Sequence, residues 1–218
     1  MANDMSNISS SINDFQTALL EINRIKAREV LENVFDKHNK FEVVEEVIVK
    51  ALENIGKGWE DGEFSLSQVY MAGSICEKIV DRFLPMDSKN NTLDFNIAIC
   101  VLQDYHALGK KIVSSTLRAS GYNILDFGYG LSVDEVIEKV IKNKTKILLI
   151  STLMLPSAMK VREVVEEIRD RNLNTKIIVG GAPFRLDKNL WKSVSADADG
   201  INGVIVQGII DQFIKGGV

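Results

Sequence analysis

The sequence predicts an α/β protein in which a bundle of four helices precedes a doubly wound parallel sheet of five strands. Apolar residues recur at helical spacing through the first 84 residues. From residue 94 onward, short apolar runs alternate with helical stretches, which is typical of a parallel sheet covered on both faces. Between these regions lies the polar segment 85–92, whose proline and asparagines indicate a linker. The predicted domains are therefore a helical domain at 1–86 and an α/β domain at 92–218.

Helical spacing predicts the first three helices. Two amphipathic segments, at about 10–21 and 24–37, come before a third helix that has Asn39 as its N-cap and Glu42 as its third-position acid. The third helix carries an apolar stripe made of Val44, Val47, Ile48, Ala51, Leu52 and Ile55. Because these positions share one face, we expect that face to be buried in the bundle.

Glycines and a capping pattern separate the third helix from the fourth. Gly56, Gly58 and Gly62 are expected to break the third helix, because glycine is unfavourable in a helix interior. Ser65 and Gln68 then form the pattern S-x-x-Q, which predicts a capping box at the start of the fourth helix.

Five strands and five helices are predicted in the second region. The apolar runs that predict strands lie at 94–102, 122–127, 146–150 and 176–179, with a weak fifth near 199–202. The helical stretches lie at about 109–120, 133–143, 157–172, 187–194 and 204–215. This alternation predicts a Rossmann-like (flavodoxin-like) domain, in which ligands bind where loops leave the carboxyl ends of the strands.

Composition excludes several classes of function. The formal net charge is −4, so the chain lacks the dense cationic face of a general nucleic-acid binder. The longest apolar run, 147–159, is interrupted by polar residues and shorter than the ~20 residues that cross a bilayer. Only two cysteines and two histidines are present, at no zinc-ligand spacing. We therefore expect a cytoplasmic protein with free thiols, no membrane association and no nucleic-acid partner.

Polar residues follow three of the predicted strands, at 103–109, 151–157 and 180–183. In the first loop His106 lies two residues after Asp104, an arrangement in which the carboxylate can orient the imidazole. Ser157 could hydrogen-bond the carboxylate in turn. One imidazole does not hold a bare metal ion, but it can be the axial ligand of a metal already held by a macrocycle. Without the other motifs, His106 would be interpreted as a surface-loop histidine that caps the following helix.

These loop residues resemble the cobalamin-binding domain shared by methionine synthase, some cobalamin mutases and the corrinoid proteins of methyltransferase systems. The matching motifs are D-x-H-x-x-G (Asp104, His106, Gly109), S-x-L (Ser151, Leu153) and G-G (Gly180, Gly181). The segment 58–72, an acidic glycine turn that runs into a helix, resembles the helical cap of the corrinoid methyl carriers. Gln103 stands where the family usually has glycine.

The resemblance implies a base-off cobalamin with His106 as the lower axial ligand of cobalt. Asp104 and Ser157 would form a hydrogen-bonded relay behind the imidazole. The nucleotide tail would run past Ser151, Leu153, Gly180 and Gly181, near Gly109, and Met71 would cover the upper face.

The resemblance also implies a role as a carrier rather than as a complete enzyme. The cobalt would cycle between Co(I) and methyl-Co(III), taking a methyl group from a substrate:corrinoid methyltransferase. A corrinoid:tetrahydrofolate or thiol methyltransferase would accept it, and a reductive activase would be a further partner. The sequence does not show whether the donor is methanol, a methylamine, a methoxylated aromatic or a betaine.

Three alternatives remain at this point: a cobalamin mutase subunit, a cobalamin-based sensor, and a flavodoxin-like module without a corrin. The segment Gly128-Tyr129-Gly130 begins like a dinucleotide fingerprint but lacks its third glycine. Cys76 and Cys100 fall on predicted buried faces and are interpreted as inert core thiols.

Overall fold

The computed structural model describes residues 2–38, 41–84 and 93–217. The chain divides into two compact units, Met1–Leu84 and Pro85–Val218. The predicted cap at Asn39 and the predicted linker at 85–92 lie outside the described residues.

The first unit contains the predicted helices: α1 (Ala2–Leu20), α2 (Arg24–His38), α3 (Phe41–Glu60) and α4 (Leu66–Ile79), followed by a 3-10 turn at Val80–Arg82. Its largest fully buried side chains are Phe15, Leu19, Leu31, Ile48, Ile55 and Ile75. The apolar stripe of α3 is buried as predicted, except that Leu52 is partly exposed.

The predicted break of α3 at Gly56 and Gly58 is wrong, because the helix continues to Glu60. Gly58 lacks a side chain for a packing reason: a Cβ atom there would lie 2.3 Å from the ring of Phe64. The chain turns only at Gly62, whose φ of +78° favours glycine. The predicted capping box then forms at Ser65, since the Ser65 side chain accepts from the backbone N–H of Gln68 and the Gln68 side chain accepts from that of Ser65.

The second unit is the predicted parallel sheet, with strand order β2-β1-β3-β4-β5. The strands are β1 (Leu93–Leu102), β2 (Tyr122–Leu131), β3 (Ile147–Ser151), β4 (Lys176–Gly180) and β5 (Ala198–Asp199). The helices are α5 (Leu108–Ala119), α6 (Val133–Lys142), α7 (Leu155–Asp170), α8 (Ala182–Leu186), α9 (Leu190–Ser193) and α10 (Gly203–Lys215).

Three boundaries in this unit differ from the prediction. Strand β2 extends to Leu131 rather than ending near 127. Strand β5 begins at Ala198 and has two residues. The helix expected at 187–194 is shortened to α9, because Asp187 has an extended backbone and its carboxylate accepts from the backbone N–H of Asn189. Helix α8, which ends just before Asp187, was not predicted.

Side chains alternate between two cores on opposite faces of the sheet. In β3, Leu148 and Ile150 pack into one core with α6 and α7, whereas Ile147 and Leu149 pack into the other with α5 and α10. This alternation explains why β3 is a continuous apolar run in the sequence. Within the described residues, no helix has both the length and the apolar character needed to span a membrane.

The two cysteines are buried, Cys76 in the helical unit and Cys100 in the sheet. Burial raises the pKa of each thiol to about 12. Since thiolate is the reactive form, both are inert at neutral pH, as the sequence indicated.

Candidate functional site

The loops that follow β1, β3 and β4 begin side by side at one edge of the sheet. Val101 pairs with Ser151, and Ser151 pairs with Gly180, so the three strands end at the same level. Strand β1 connects to β2 on one side and is flanked by β3 on the other, which makes this edge the topological switch point.

His106 lies on the first of these loops and is oriented by Asp104. The Asp104 Oδ1 atom accepts from the backbone N–H of His106 at 3.0 Å and also hydrogen-bonds to the ring Nδ1. The Asp104 side chain is 1% exposed, whereas that of His106 is 46% exposed. The imidazole is therefore fixed through Nδ1, which leaves Nε2 as the ring nitrogen for a ligand.

The second oxygen of Asp104 joins this loop to the loop after β3. The Oδ2 atom accepts from the backbone N–H groups of Leu153 at 2.8 Å and Met154 at 3.0 Å. Burial raises the pKa of Asp104, but the hydrogen bonds from His106, Leu153 and Met154 outweigh it and hold the pKa below its ordinary value. Asp104 is thus a buried carboxylate that joins two loops and orients the imidazole.

Ser157 does not form the predicted hydrogen bond to Asp104. Its hydroxyl donates instead to the backbone carbonyl of Gln103 at 3.1 Å. The two oxygens of Asp104 already accept from the backbone and ring N–H of His106 and from two backbone N–H groups of the β3 loop. Ser157 therefore supports the loop one residue before the aspartate.

Sequence reasoning missed the backbone donors at Leu153 and Met154, because a main-chain N–H carries no residue signature. It also missed the conformation of Gln103, whose φ of +46° lies in the left-handed region. The signal for this conformation was present, since Gln103 occupies a position where the related family usually has glycine.

The motif glycines allow close approach of the loops. A Cβ atom on Gly181, whose φ is +116°, would lie 1.8 Å from the backbone oxygen of Thr152. A Cβ atom on Gly180 would lie 2.7 Å from the backbone oxygen of Gly200. The resemblance implies that the nucleotide tail runs past these glycines, and the structure shows that the space where each Cβ atom would lie is filled by the chain itself. Their contact with a nucleotide tail stays a prediction.

The remaining candidate residues lie in both units. A Cβ atom on Gly109, in the first turn of α5, would lie 3.3 Å from the hydroxyl oxygen of Ser151. Leu153 is exposed at the edge of the sheet. Met71 lies on α4 in the helical unit, where it is half-buried.

Exposed apolar side chains lie on the loops and helix starts that follow β1, β3 and β5. They are Tyr105, Leu153, Met154, Leu155, Ile201, Val204 and Ile205. Several such side chains at one edge of a sheet are typical of a ligand or partner site. Among the described residues, no group of three histidine, cysteine or acidic side chains could hold a metal ion. One imidazole on an apolar edge fits a metal that a flat apolar macrocycle already holds, and does not fit a bare ion.

Comparison with known proteins relates both units to B12-binding domains. One family model described as a B12 binding domain matches residues 96–203, and a second with the same description matches residues 11–83. Dimethylamine corrinoid protein 2 of Methanosarcina mazei is 28% identical over 163 residues, covering 72% of this chain and 73% of that protein. A corrinoid protein of Desulfitobacterium hafniense is 23% identical over 184 residues, covering 81% of this chain and 85% of that protein.

Solved structures show the same fold. The monomethylamine corrinoid protein of Methanosarcina barkeri matches with a TM-score of 0.79 at 21% identity, covering 93% of this chain and 97% of that chain. A chain of the methanol:cobalamin methyltransferase complex from the same organism matches with a TM-score of 0.52 at 20% identity, covering 96% of this chain and 81% of that chain. The helical region followed by a five-stranded parallel sheet is therefore confirmed as the fold.

Proposed function

We propose that this chain, which belongs to the B12-binding corrinoid protein family, carries methyl groups within a methyltransferase system. The observation that carries the proposal is the geometry of His106, a half-exposed imidazole fixed through Nδ1 by a buried carboxylate on an apolar sheet edge. Relatives named as dimethylamine and trimethylamine corrinoid proteins support a methylamine or similar small methylated compound as the donor.

In this proposal His106 would hold the cobalt of a bound corrinoid through Nε2. When bound, the corrinoid supplies a cobalt that accepts and releases a methyl group. Asp104 fixes the tautomer and the orientation of the imidazole, since its carboxylate accepts a hydrogen bond from the Nδ1 proton. Leu153 and Met154 keep that carboxylate in place through their backbone N–H groups.

Further residues have proposed roles toward the cofactor. Ser151, Leu153, Gly180 and Gly181 would line the path of the nucleotide tail with Gly109, and Met71 would cover the upper face. Substrate activation would belong to the partners, a substrate:corrinoid methyltransferase and a second methyltransferase that acts on tetrahydrofolate or a thiol. A reductive activase would restore the reduced cofactor.

The first test is cofactor retention. Purified protein is mixed with hydroxocobalamin, free cofactor is removed, and the visible spectrum is recorded for wild type and for His106→Ala. We expect about one corrin per chain for a single site, with a wild-type spectral change that the variant lacks. A folded wild type that retains no corrin contradicts the proposal, and identical spectra for the two proteins contradict the ligand assignment.

A second test addresses the carrier role. The corrin-loaded protein is reduced with Ti(III) citrate, which supplies the electrons needed to reach Co(I), and is then incubated with 14C-labelled methanol or dimethylamine, each with and without a methyltransferase for that substrate. We expect label in the protein-bound fraction only with the matching methyltransferase. Label that never reaches the protein in any pairing would favour another role for the bound corrin.

A further inference from the structure

The segment Gly128-Tyr129-Gly130, which resembles the start of a dinucleotide fingerprint, forms an irregular end of strand β2. Cys100 of β1 pairs with Gly128 and Leu102 pairs with Leu131, so three steps along β2 match two steps along β1. This mismatch is a β-bulge. Gly128 and Gly130 have φ values of +104° and +69°, which permit the bulge. We call residues 128–131 the β2 bulge.

The β2 bulge contacts the backbone on both sides of Asp104. The Gly130 N–H donates to the Asp104 carbonyl at 2.8 Å, and the Gln103 N–H donates to the Leu131 carbonyl at 2.9 Å. The ring of Tyr105 lies on Gly130, where a Cβ atom would be only 2.6 Å from the Tyr105 Cε1 atom. No residue other than glycine at position 130 allows this ring position.

Tyr129 holds the same ring from another direction. The Tyr105 and Tyr129 rings meet edge to face, with centroids 6.1 Å apart and an interplanar angle of 70°. The ammonium of Lys110 lies 5.7 Å from the Tyr129 centroid. Lys110 is itself fixed, because it is buried and pairs with both carboxylate oxygens of Asp126 at 2.7 and 2.9 Å.

These contacts fix the positions of two exposed tyrosines close to His106 along the chain or in the structure. Tyr105 is 74% exposed and Tyr129 is 57% exposed. Tyr105 lies between Asp104 and His106, so the position of its ring constrains the backbone on which the imidazole is mounted. An aromatic side chain this exposed would otherwise change rotamer freely.

We propose that the β2 bulge positions His106: Tyr129 and Gly130 hold the Tyr105 ring, and the held ring keeps the loop in the conformation that presents Nε2. This inference rests on the proposed function, in which His106 binds the corrinoid cobalt. Tyr129 and Gly130 act through Tyr105, so they are positioning residues that need no contact with the cofactor.

The test compares substitutions that disturb the Tyr105 ring with matched substitutions that do not. Gly130→Ala strains the backbone, because φ is positive there, and it also displaces the Tyr105 ring. Gly121→Ala adds strain alone, since Gly121 has a φ of +92° and no atom lies within 4 Å of the place its new methyl would take. Tyr129→Leu removes the aromatic ring at this position, Tyr129→Phe keeps it, and Leu125→Ala shortens an exposed side chain on the same strand.

Two readouts are taken on the full chain. Without cofactor, the NMR shift of the His106 backbone amide should move in Gly130→Ala and Tyr129→Leu, and should stay at the wild-type position in Gly121→Ala, Tyr129→Phe and Leu125→Ala. With hydroxocobalamin, the first two variants should bind roughly tenfold more weakly than wild type, the upper range for loss of an aromatic pair. Tyr129→Phe should bind like wild type.

The outcomes separate this inference from the proposed function. If wild type retains no corrin, the proposed function fails and the positioning role fails with it. If wild type binds corrin and Gly130→Ala and Tyr129→Leu bind equally well with an unmoved His106 amide, the positioning role alone is overturned. Equal weakening by Gly121→Ala would also overturn it, because the effect would then follow from backbone strain.

Discussion

A capping box in the helical unit and the carboxylate of Asp104 in the sheet unit act over different distances along the chain. In the helical unit the capping box joins Ser65 to Gln68, three residues apart. In the sheet unit Asp104 accepts from Leu153 and Met154, 49 and 50 residues away. A hydrogen bond between residues three apart can be predicted from residue spacing in the sequence. The candidate site is assembled by contacts between distant segments, which residue spacing does not predict. Perturbations of the sheet edge should therefore cost more than matched perturbations of the bundle.

The largest expected difference is between two glycines. Gly181→Ala would place a methyl 1.8 Å from a backbone oxygen at a positive φ, and should destabilise the sheet unit by about 3 kcal/mol or more. Gly56→Ala, in the interior of α3 with open space around it, should stabilise the helical unit by ~0.5–1 kcal/mol. Urea unfolding followed by Trp191 fluorescence in a Trp59→Phe background, and by Trp59 fluorescence in a Trp191→Phe background, reports each unit separately. If Gly181→Ala and Gly56→Ala changed the free energy of unfolding by the same amount, the predicted difference between the two units would be wrong.

Asp104 should make the stability of the sheet unit depend on pH. Its pKa is lowered in the folded state from an ordinary value of 3.8, so its contribution is present above about pH 4 and is lost as pH falls through the folded pKa. Asp104→Asn should cost about 2 kcal/mol at pH 7, because an amide has only one accepting oxygen. The N–H groups of either His106 or of Leu153 and Met154 would then lose their acceptor. The deficit should shrink below pH 4.

Asp14→Asn is the control for this experiment, since Asp14 is an exposed acid on α1 of the helical unit. It should change the free energy of unfolding by less than about 0.5 kcal/mol, as is usual for a substitution on the surface. A deficit for Asp104→Asn that is the same at pH 3 and pH 7 would contradict a carboxylate role for this residue.

The smallest effect distinguishes two buried threonines within the sheet unit. The Thr152 hydroxyl has no hydrogen-bond partner among the described residues, whereas the Thr175 hydroxyl donates to the Thr145 carbonyl at 2.7 Å. Thr152→Val should therefore stabilise the protein by about 1 kcal/mol, and Thr175→Val should destabilise it by a similar amount. Thermal unfolding of the two variants checks the sign of each change. A loss of stability in Thr152→Val would show that its hydroxyl is satisfied.

The sequence predicted most of the fold because periodicity and capping are local properties. The four helices, the five strands in parallel and the capping box at Ser65 were all predicted and are present. The break expected at Gly58 was wrong because that glycine accommodates Phe64, a neighbour that helical propensity does not take into account. The contact with Phe64, rather than helix propensity, explains why glycine occupies this position in the helix.

The candidate site was predictable only in its side chains. Asp104 and His106 were paired from their spacing, and the structure places them in hydrogen-bonding contact. The hydroxyl of Ser157 was assigned to Asp104 but bonds to the carbonyl of Gln103. The backbone N–H groups of Leu153 and Met154 bond to Asp104 in the place predicted for the Ser157 hydroxyl. Backbone groups of this kind can be located only once the strand order is known.

Each unit contains one buried cysteine, so the reactivity of each thiol reports when its own unit opens. With a pKa of about 12, neither thiol reacts at neutral pH until its surroundings open. The rate at which a thiol reagent modifies Cys76 thus measures openings of the bundle, and the rate for Cys100 measures openings of the sheet. Mass spectrometry of one labelled sample would give both opening equilibria, with no engineered probe.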